Sequence, residues 1–289
     1  MMNRRQLLST TAGMALAVLE SGSVRATDRI SPQASGHPVD LLTAYVKLGA
    51  SLDDRLTIWW MDGVRYGVVD RRAQILYGMK VGLFQRFFPQ EDGSYKLAMF
   101  ELTYYTDLVT GELLEDYENP FTGVTNHVQH VRLGPEIRQV NSQGDVAPKT
   151  DAIENFSSRL GPPLFYGDGI WISSDIQAEI KLPFPNAPEL RMNHYLTLHG
   201  KRSEVEDPSV ISAPASLSFH NIISWEPWMR MGDHPGHLMS QAFGRKLESL
   251  DELPGDYLTM ARKVHPKFIE DPVATLDARV QKIVNETAG

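Results

Sequence analysis

Residues 101–133 read ELTYYTDLVTGELLEDYENPFTGVTNHVQHVRL. Thr110-Gly111 and Asn119-Pro120-Phe121-Thr122-Gly123 carry turn chemistry, because glycine accepts a positive φ without steric cost and Asn-Pro initiates turns. Between these points polar and apolar residues alternate with a period near two. The stretch therefore predicts three consecutive strands joined by two turns, and strands joined so tightly must pair antiparallel.

Across the second turn, placing Glu118 opposite Val124 sets Tyr117 opposite Thr125 and Glu115 opposite His127. Side chains alternate faces along a strand. One face then carries Leu113, Glu115, Tyr117, Thr125, His127, Gln129 and Val131; the other carries Leu114, Asp116, Glu118, Asn126, Val128, His130 and Arg132. The first set suits a semi-polar pocket wall. A carboxylate opposite an imidazole raises its proton affinity and orients it, so His127 is a candidate general base with Glu115 as its orienter. Tyr104 or Tyr117 would supply the acid. The plainer reading is an ordinary cross-strand ion pair. A slip of one residue would exchange the faces.

Working outward, Leu41 to Leu48 predicts a short helix. LTIWWM, Asp62-Gly63 and VRYGVVD predict a hairpin on a type I′ turn. Ala73 to Phe88 and Tyr95 to Thr106 predict long strands separated by Gln90-Glu91-Asp92-Gly93. Further on, Ile137 to Val146 reads as a strand and Asp151 to Leu160 as a surface segment. Leu164 to Leu182 reads as paired strands ending at the Pro-rich break Pro183 to Pro188. Arg191 to Ser203 is a strand with His194 and His199 on opposite faces, a parity that argues against both binding one metal. Ser216 to Trp225 is the last strand, with Phe219, Asn221, Ile223 and Trp225 on one side. Helices are expected at His237 to Leu247, with Asp233 near its cap, and twice more within Pro254 to Gly289. The fold expected is mainly β: an antiparallel barrel or strongly curved sheet, lipocalin-like, with a helical C-terminal cap over about residues 233–289.

The 289-residue chain carries a net charge of −8 and no long basic run after its start, which gives nucleic-acid binding no electrostatic support. It contains no cysteine, which excludes disulfides, thiolate metal sites and a cysteine nucleophile. Arg4-Arg5, the apolar run Leu7 to Leu19 and Val24-Arg25-Ala26 have the form of a twin-arginine export signal over residues 1–26. That predicts a periplasmic protein without a retained membrane anchor, its single domain spanning residues 27–289, with a Ser/Pro/Gly-rich leader to Pro38. Self-association stays open.

The chain has no H-E-x-x-H, no G-x-S-x-G and no G-x-G-x-x-G opening a helix, so the expectation is no metal and no cofactor. What remains is acid–base chemistry by His, Tyr and Glu in an apolar cavity, or binding alone. At the corner Trp225-Glu226-Pro227-Trp228-Met229-Arg230, aromatic rings with Trp59 and Gln129 are candidate substrate contacts, and Arg230 would bind a phenolate or carboxylate. The alternative is a packed corner in which Trp228 plugs the barrel and Glu226 pairs with Arg230.

The Asn119-Pro120-Phe121-Thr122-Gly123 turn, its Tyr-rich preceding strand and the run WEPWMRMGDHPGHLMSQAFGRKL resemble the family known as domain of unknown function 1838, over most of the chain after residue 26. The resemblance implies a mostly β single domain, often exported by a twin-arginine signal, and transfers no catalytic residues. By analogy with other β-rich proteins, the expected function is a cofactor-independent lyase or isomerase. Its substrate would be a hydrophobic aromatic of the lignin type or a terpenoid, with loss of formaldehyde from a hydroxymethyl side chain as one example. The alternative is a periplasmic carrier of an apolar ligand.

Overall fold

A computed structural model describes residues 40–146, 152–181 and 189–288. The export signal, the leader to Pro38 and the break Pro183 to Pro188 fall outside them. The chain opens with helix α1 (Leu41–Gly49), whose N-terminus is capped by the Asp40 carboxylate accepting from the Thr43 amide. Strands β1 (Thr57–Val69), β2 (Arg72–Pro89) and β3 (Tyr95–Thr106) follow as a meander. A small hairpin, β4 (Asp116–Glu118) and β5 (Thr125–His127), leaves the main sheet. Then come β6 (Val131–Asn141), β7 (Gly144–Val146), β8 (Ile153–Leu160), β9 (Leu164–Tyr166), β10 (Gly169–Ile180) and β11 (Leu190–Lys201). The short helix α2 (Arg202–Glu206) leads to β12 (Ser216–Ile223) and β13 (His237–Leu247), and helices α3 (Gly255–Val264), α4 (Pro266–Glu270) and α5 (Pro272–Ala288) end the chain.

The strands run β7-β6-β3-β2-β1-β13-β12-β11-β10-β8, with β9 beside β10. The pairs are antiparallel throughout. The two ends of this order meet: the Leu160 amide donates to the Gln143 carbonyl at 2.9 Å, and the Asp145 amide to Ser158 Oγ at 3.0 Å. The sheet is thus a nearly closed barrel, which hides edge groups that would otherwise stay unpaired.

One end and one flank of the barrel are covered. Helix α1 closes one end because barrel side chains satisfy its last carbonyls. Trp59 Nε1 and Gln85 Nε2 donate to the Gly49 carbonyl at 2.6 and 2.7 Å, and Lys246 Nζ donates to the Lys47 and Ala50 carbonyls at 2.8 and 2.9 Å. The C-terminal helices lie over the outer face of β2 and β3, where Phe84, Phe100, Leu102 and Tyr104 bury against Tyr257, Met260, Ile269 and Leu276. Among the described residues no helix is long and apolar enough to cross a membrane.

The structure corrects three local expectations. Asp62-Gly63 is not a turn: β1 runs through it, and the turn lies at Asp70-Arg71, whose φ values of 49° and 64° suit the type I′ geometry. Gly63 answers to close packing instead, since a Cβ there would sit 2.3 Å from the Gln241 carbonyl oxygen. His237 to Leu247 is a strand rather than a helix. Its helix-tolerant composition is overridden by pairing on both edges, to β1 and β12, and Leu238, Ser240 and Ala242 bury on alternate positions. The polar segment before Leu160 is the barrel strand β8, not a surface excursion.

These assignments carry a stability test. Gly63→Ala should cost about 1–3 kcal/mol by overpacking, whereas Asp70→Gly should change stability by less than about 1 kcal/mol, because glycine relieves the positive φ at an entropic cost. Urea unfolding of the two variants checks this, and the reverse order would restore the turn at Asp62-Gly63.

Candidate active site in the barrel lumen

The β4–β5 hairpin does not build the expected pocket wall. Asp116, not Glu115, lies opposite His127, and Tyr117 faces Asn126. The cause is Asn119. It is buried, its amide nitrogen donates to the Met229 carbonyl at 3.1 Å, and its backbone pairs with Val124 at 3.0 Å, so the loop begins one residue later than expected. The one-residue slip exchanges the faces. His127 Nδ1 meets Asp116 at 3.2 Å with the two side chains 78% and 66% exposed. Glu115 instead pairs with Lys263 at 2.5 Å on the surface. Asn126 and Val128 take the buried positions.

The expected catalytic set is therefore not assembled. His127, with Gln129, Trp228 and Arg230, borders only a shallow cleft of about 240 Å³. Tyr117 is half-buried, its ring edge-on to Tyr77 at 5.2 Å. Tyr104 faces away from the lumen, its hydroxyl 2.9 Å from His265 Nδ1 beneath the C-terminal helices. His130, placed by the expected register on the face away from the pocket wall, accepts from the Tyr105 amide at 3.2 Å.

Chemistry-bearing groups converge inside the barrel instead. An internal cavity of about 160 Å³ has walls that include Trp59, Met61, Leu83, Met99, Leu198 and Phe219, and α1 contributes Tyr45. Into it project Glu101, Arg138, Asp145 and His194. Along the barrel order β3 and β11 are five steps apart through β2, β1, β13 and β12, so Glu101 and His194 stand on opposite walls. An irregularity aims the neighbouring strand. Between Met99 and Glu101 the pairing of β3 with β6 shifts by one, where Gly134 has a φ of 80°, so that Leu133 and Arg138, of opposite parity, both face inward.

Burial sets the protonation of these groups. It raises the Glu101 carboxyl above its ordinary range, against a hydrogen bond from Thr103 Oγ1 at 2.7 Å. Burial likewise raises Asp145, and it lowers His194 to about 4, with Arg138 and Arg65 acting in the same direction. Arg138 is already engaged, its Nε donating to Glu136 at 2.6 Å. At neutral pH, then, His194 is a neutral imidazole, able to donate one N–H, opposite a carboxyl whose raised pKa makes its anion a stronger base.

Above this cavity lies a sealed polar layer. Glu226 accepts from Tyr105 Oη at 2.5 Å, Trp228 Nε1 at 2.5 Å and Arg65 at 3.0 Å, while Arg65 also reaches Tyr105 and Asn221. The Glu226 partner expected at Arg230 is thus Arg65, and Arg230 stays exposed at a φ of 52°. Trp228 does pack the corner, tilted against Tyr77 and Tyr105. Outside the layer an open cleft of about 840 Å³ is bordered by Arg191, Trp225, Glu226, Arg230 and His237. Met192 lines both the cleft and the lumen, so a single side chain separates them there.

Of the residues read from sequence as site candidates, only Trp59 borders the lumen; Trp225 and Arg230 border the outer cleft. Glu101 and Asp145 were missed, and His194 was weighed only as a metal ligand. The signal was available for two of them, as polar residues inside apolar strands: Glu101 between Met99 and Thr103, and His194 beside Met192 and Leu196. Among the described residues no three His, Asp or Glu side chains converge to hold a metal ion.

Two measurements test this electrostatic account. Glu226→Gln should destabilise by about 3–5 kcal/mol in urea unfolding, because Arg65, 5% exposed, would keep a buried charge without its counter-ion. His194 and His130 are both lowered to about 4 from an ordinary 6.5, so the unfolded chain binds their protons first and stability falls as pH drops through that window. His194→Gln should flatten that fall in urea midpoints recorded between pH 6.5 and 4; an unchanged slope would contradict the buried neutral imidazole.

A family model described as protein of unknown function, DUF1838, matches residues 53–283. No curated protein and no solved structure matches the chain.

Proposed function

The chain belongs to the DUF1838 family, and we propose that its barrel is a cofactor-independent lyase or isomerase acting on a small, largely apolar molecule held in the lumen. The observation that supports this is the pair Glu101 and His194 on facing walls of one apolar cavity. Glu101, as carboxylate, takes a proton from carbon next to a carbonyl or from a hydroxymethyl oxygen. Neutral His194 donates an N–H to the oxygen on which negative charge develops, the role a neutral imidazole fills better than a cation that would lose its proton. In an isomerase the protonated Glu101 returns the proton to another carbon. In loss of formaldehyde it takes the hydroxyl proton as the C–C bond breaks, and the carbon left behind is then protonated.

Size narrows the substrate. A dry cavity of about 150 Å³ holds a benzene molecule, so a lumen of about 160 Å³ suits one ring, phenolic or monoterpenoid, rather than a lignin-type dimer. Export by the twin-arginine signal would place the reaction in the periplasm.

The test is turnover of one-ring hydroxymethyl phenols and cyclic terpenoids, followed by mass spectrometry. Glu101→Gln should lower turnover by about two to four orders of magnitude, as loss of a general base does. His127→Ala should leave it unchanged, since that side chain is 78% exposed. Binding in the lumen with no new mass across the panel would favour a carrier, which needs the cavity but not the facing pair.

A further inference from the structure

The lumen contains one acid that the proposed chemistry does not use. Asp145, on β7, borders the cavity beside Tyr45 and Ser174. Its amide is occupied by Ser158 Oγ, but its carboxyl receives no hydrogen bond and forms no ion pair among the described residues. The nearest cation, Arg138, donates to Glu136, and the other guanidinium of the interior, Arg65, is bound to Glu226. Among the described residues each of these two guanidiniums is thus matched by one carboxylate, and Asp145 is left over with Glu101, which has only the Thr103 hydroxyl.

An unpaired carboxyl inside a barrel is costly, since removing it from water is repaid only by a partner. Among the described residues only the Arg138 guanidinium, already paired with Glu136, acts on it from nearby, and Asp145 lines the cavity. The rings near it, Tyr45 and farther along Trp59 and Phe219, present electron-rich faces of the kind that attract cations. An anionic ligand would meet two acids and, among the described residues, one cation, Arg138, already paired with Glu136; a neutral one would leave the Asp145 cost unrelieved. We infer that the ligand of the lumen is a small organic cation, a primary amine with an apolar body of about one ring, whose ammonium group is held by Asp145 and the Tyr45 ring. The inference rests on the lumen being the site, as proposed above, and adds that the one-ring molecule entering it carries an amino group beside the oxygen function on which the proposed chemistry acts.

The two readings separate in one experiment. Benzylamine, benzyl alcohol and benzoate are matched one-ring probes that differ in charge, and each is titrated calorimetrically into the wild-type protein and into Asp145→Asn. Wild type should bind benzylamine about tenfold or more tighter than benzyl alcohol, and benzoate weakest, as expected for one charge-assisted hydrogen bond. Asp145→Asn should lose the preference for the amine and keep binding the alcohol, which also shows that the variant is folded. Equal or tighter binding of benzyl alcohol or benzoate by wild type would overturn the inference while leaving the lumen as the site. So would retention of the amine preference in Asp145→Asn. Binding of none of the three by wild type would overturn both.

Discussion

In a closed antiparallel sheet every second side chain faces the lumen, and a polar one placed there must find a partner inside. That constraint governs this protein. The walls are largely apolar, with Trp59, Met61, Leu198 and Phe219 contributing the hydrophobic surface that folding removes from water. The charged or titratable residues of the inner face named above are either locked into pairs or directed at the cavity. Arg65 with Glu226 and Arg138 with Glu136 are of the first kind; Glu101, Asp145 and His194 are of the second.

The Glu226 carboxylate ties the mouth of the barrel to its wall. Both of its oxygens are used: one by Tyr105 and Arg65, from β3 and β1, the other by Trp228 of its own corner. The turn at Pro227–Met229 is thereby held over the lumen, with Asn119 of the β4–β5 loop bound to the Met229 carbonyl from the other side. A ligand passing from the outer cleft to the lumen must pass Met192 or displace this layer, and methionine is the side chain best able to yield, having flexible torsions and no hydrogen bonds to break.

How much of this was legible in the sequence depended on the range of the forces involved. The barrel, the short first helix, the long strands β2 and β3, and the parity that separates His194 from His199 follow from period-two patterning and turn chemistry, which are local. The register of the β4–β5 hairpin was not legible, because a buried contact from Asn119 to Met229, 110 positions away, sets where the loop starts. Nor was the strand at His237–Leu247, whose state is fixed by neighbours on both sides, or the meaning of Gly63, whose reason for being glycine is the β13 backbone. The candidate site moved from the hairpin to the lumen for the same reason. Glu115 and His127 are an attractive pair on paper, but the slip sets Asp116 opposite His127 and Glu115 pairs with Lys263, both in solvent, while Glu101 and His194 become opposed only when the sheet closes.

The central claim is that the lumen, rather than the larger cleft at its mouth, is where the protein meets its ligand. A crystal structure of the protein soaked with a one-ring ligand tests it most directly. The account predicts ligand density inside the barrel, within hydrogen-bonding distance of Glu101 or Asp145 and packed on Trp59. Density confined to the outer cleft against Trp225 and Arg230, with the lumen walls unchanged, would contradict it.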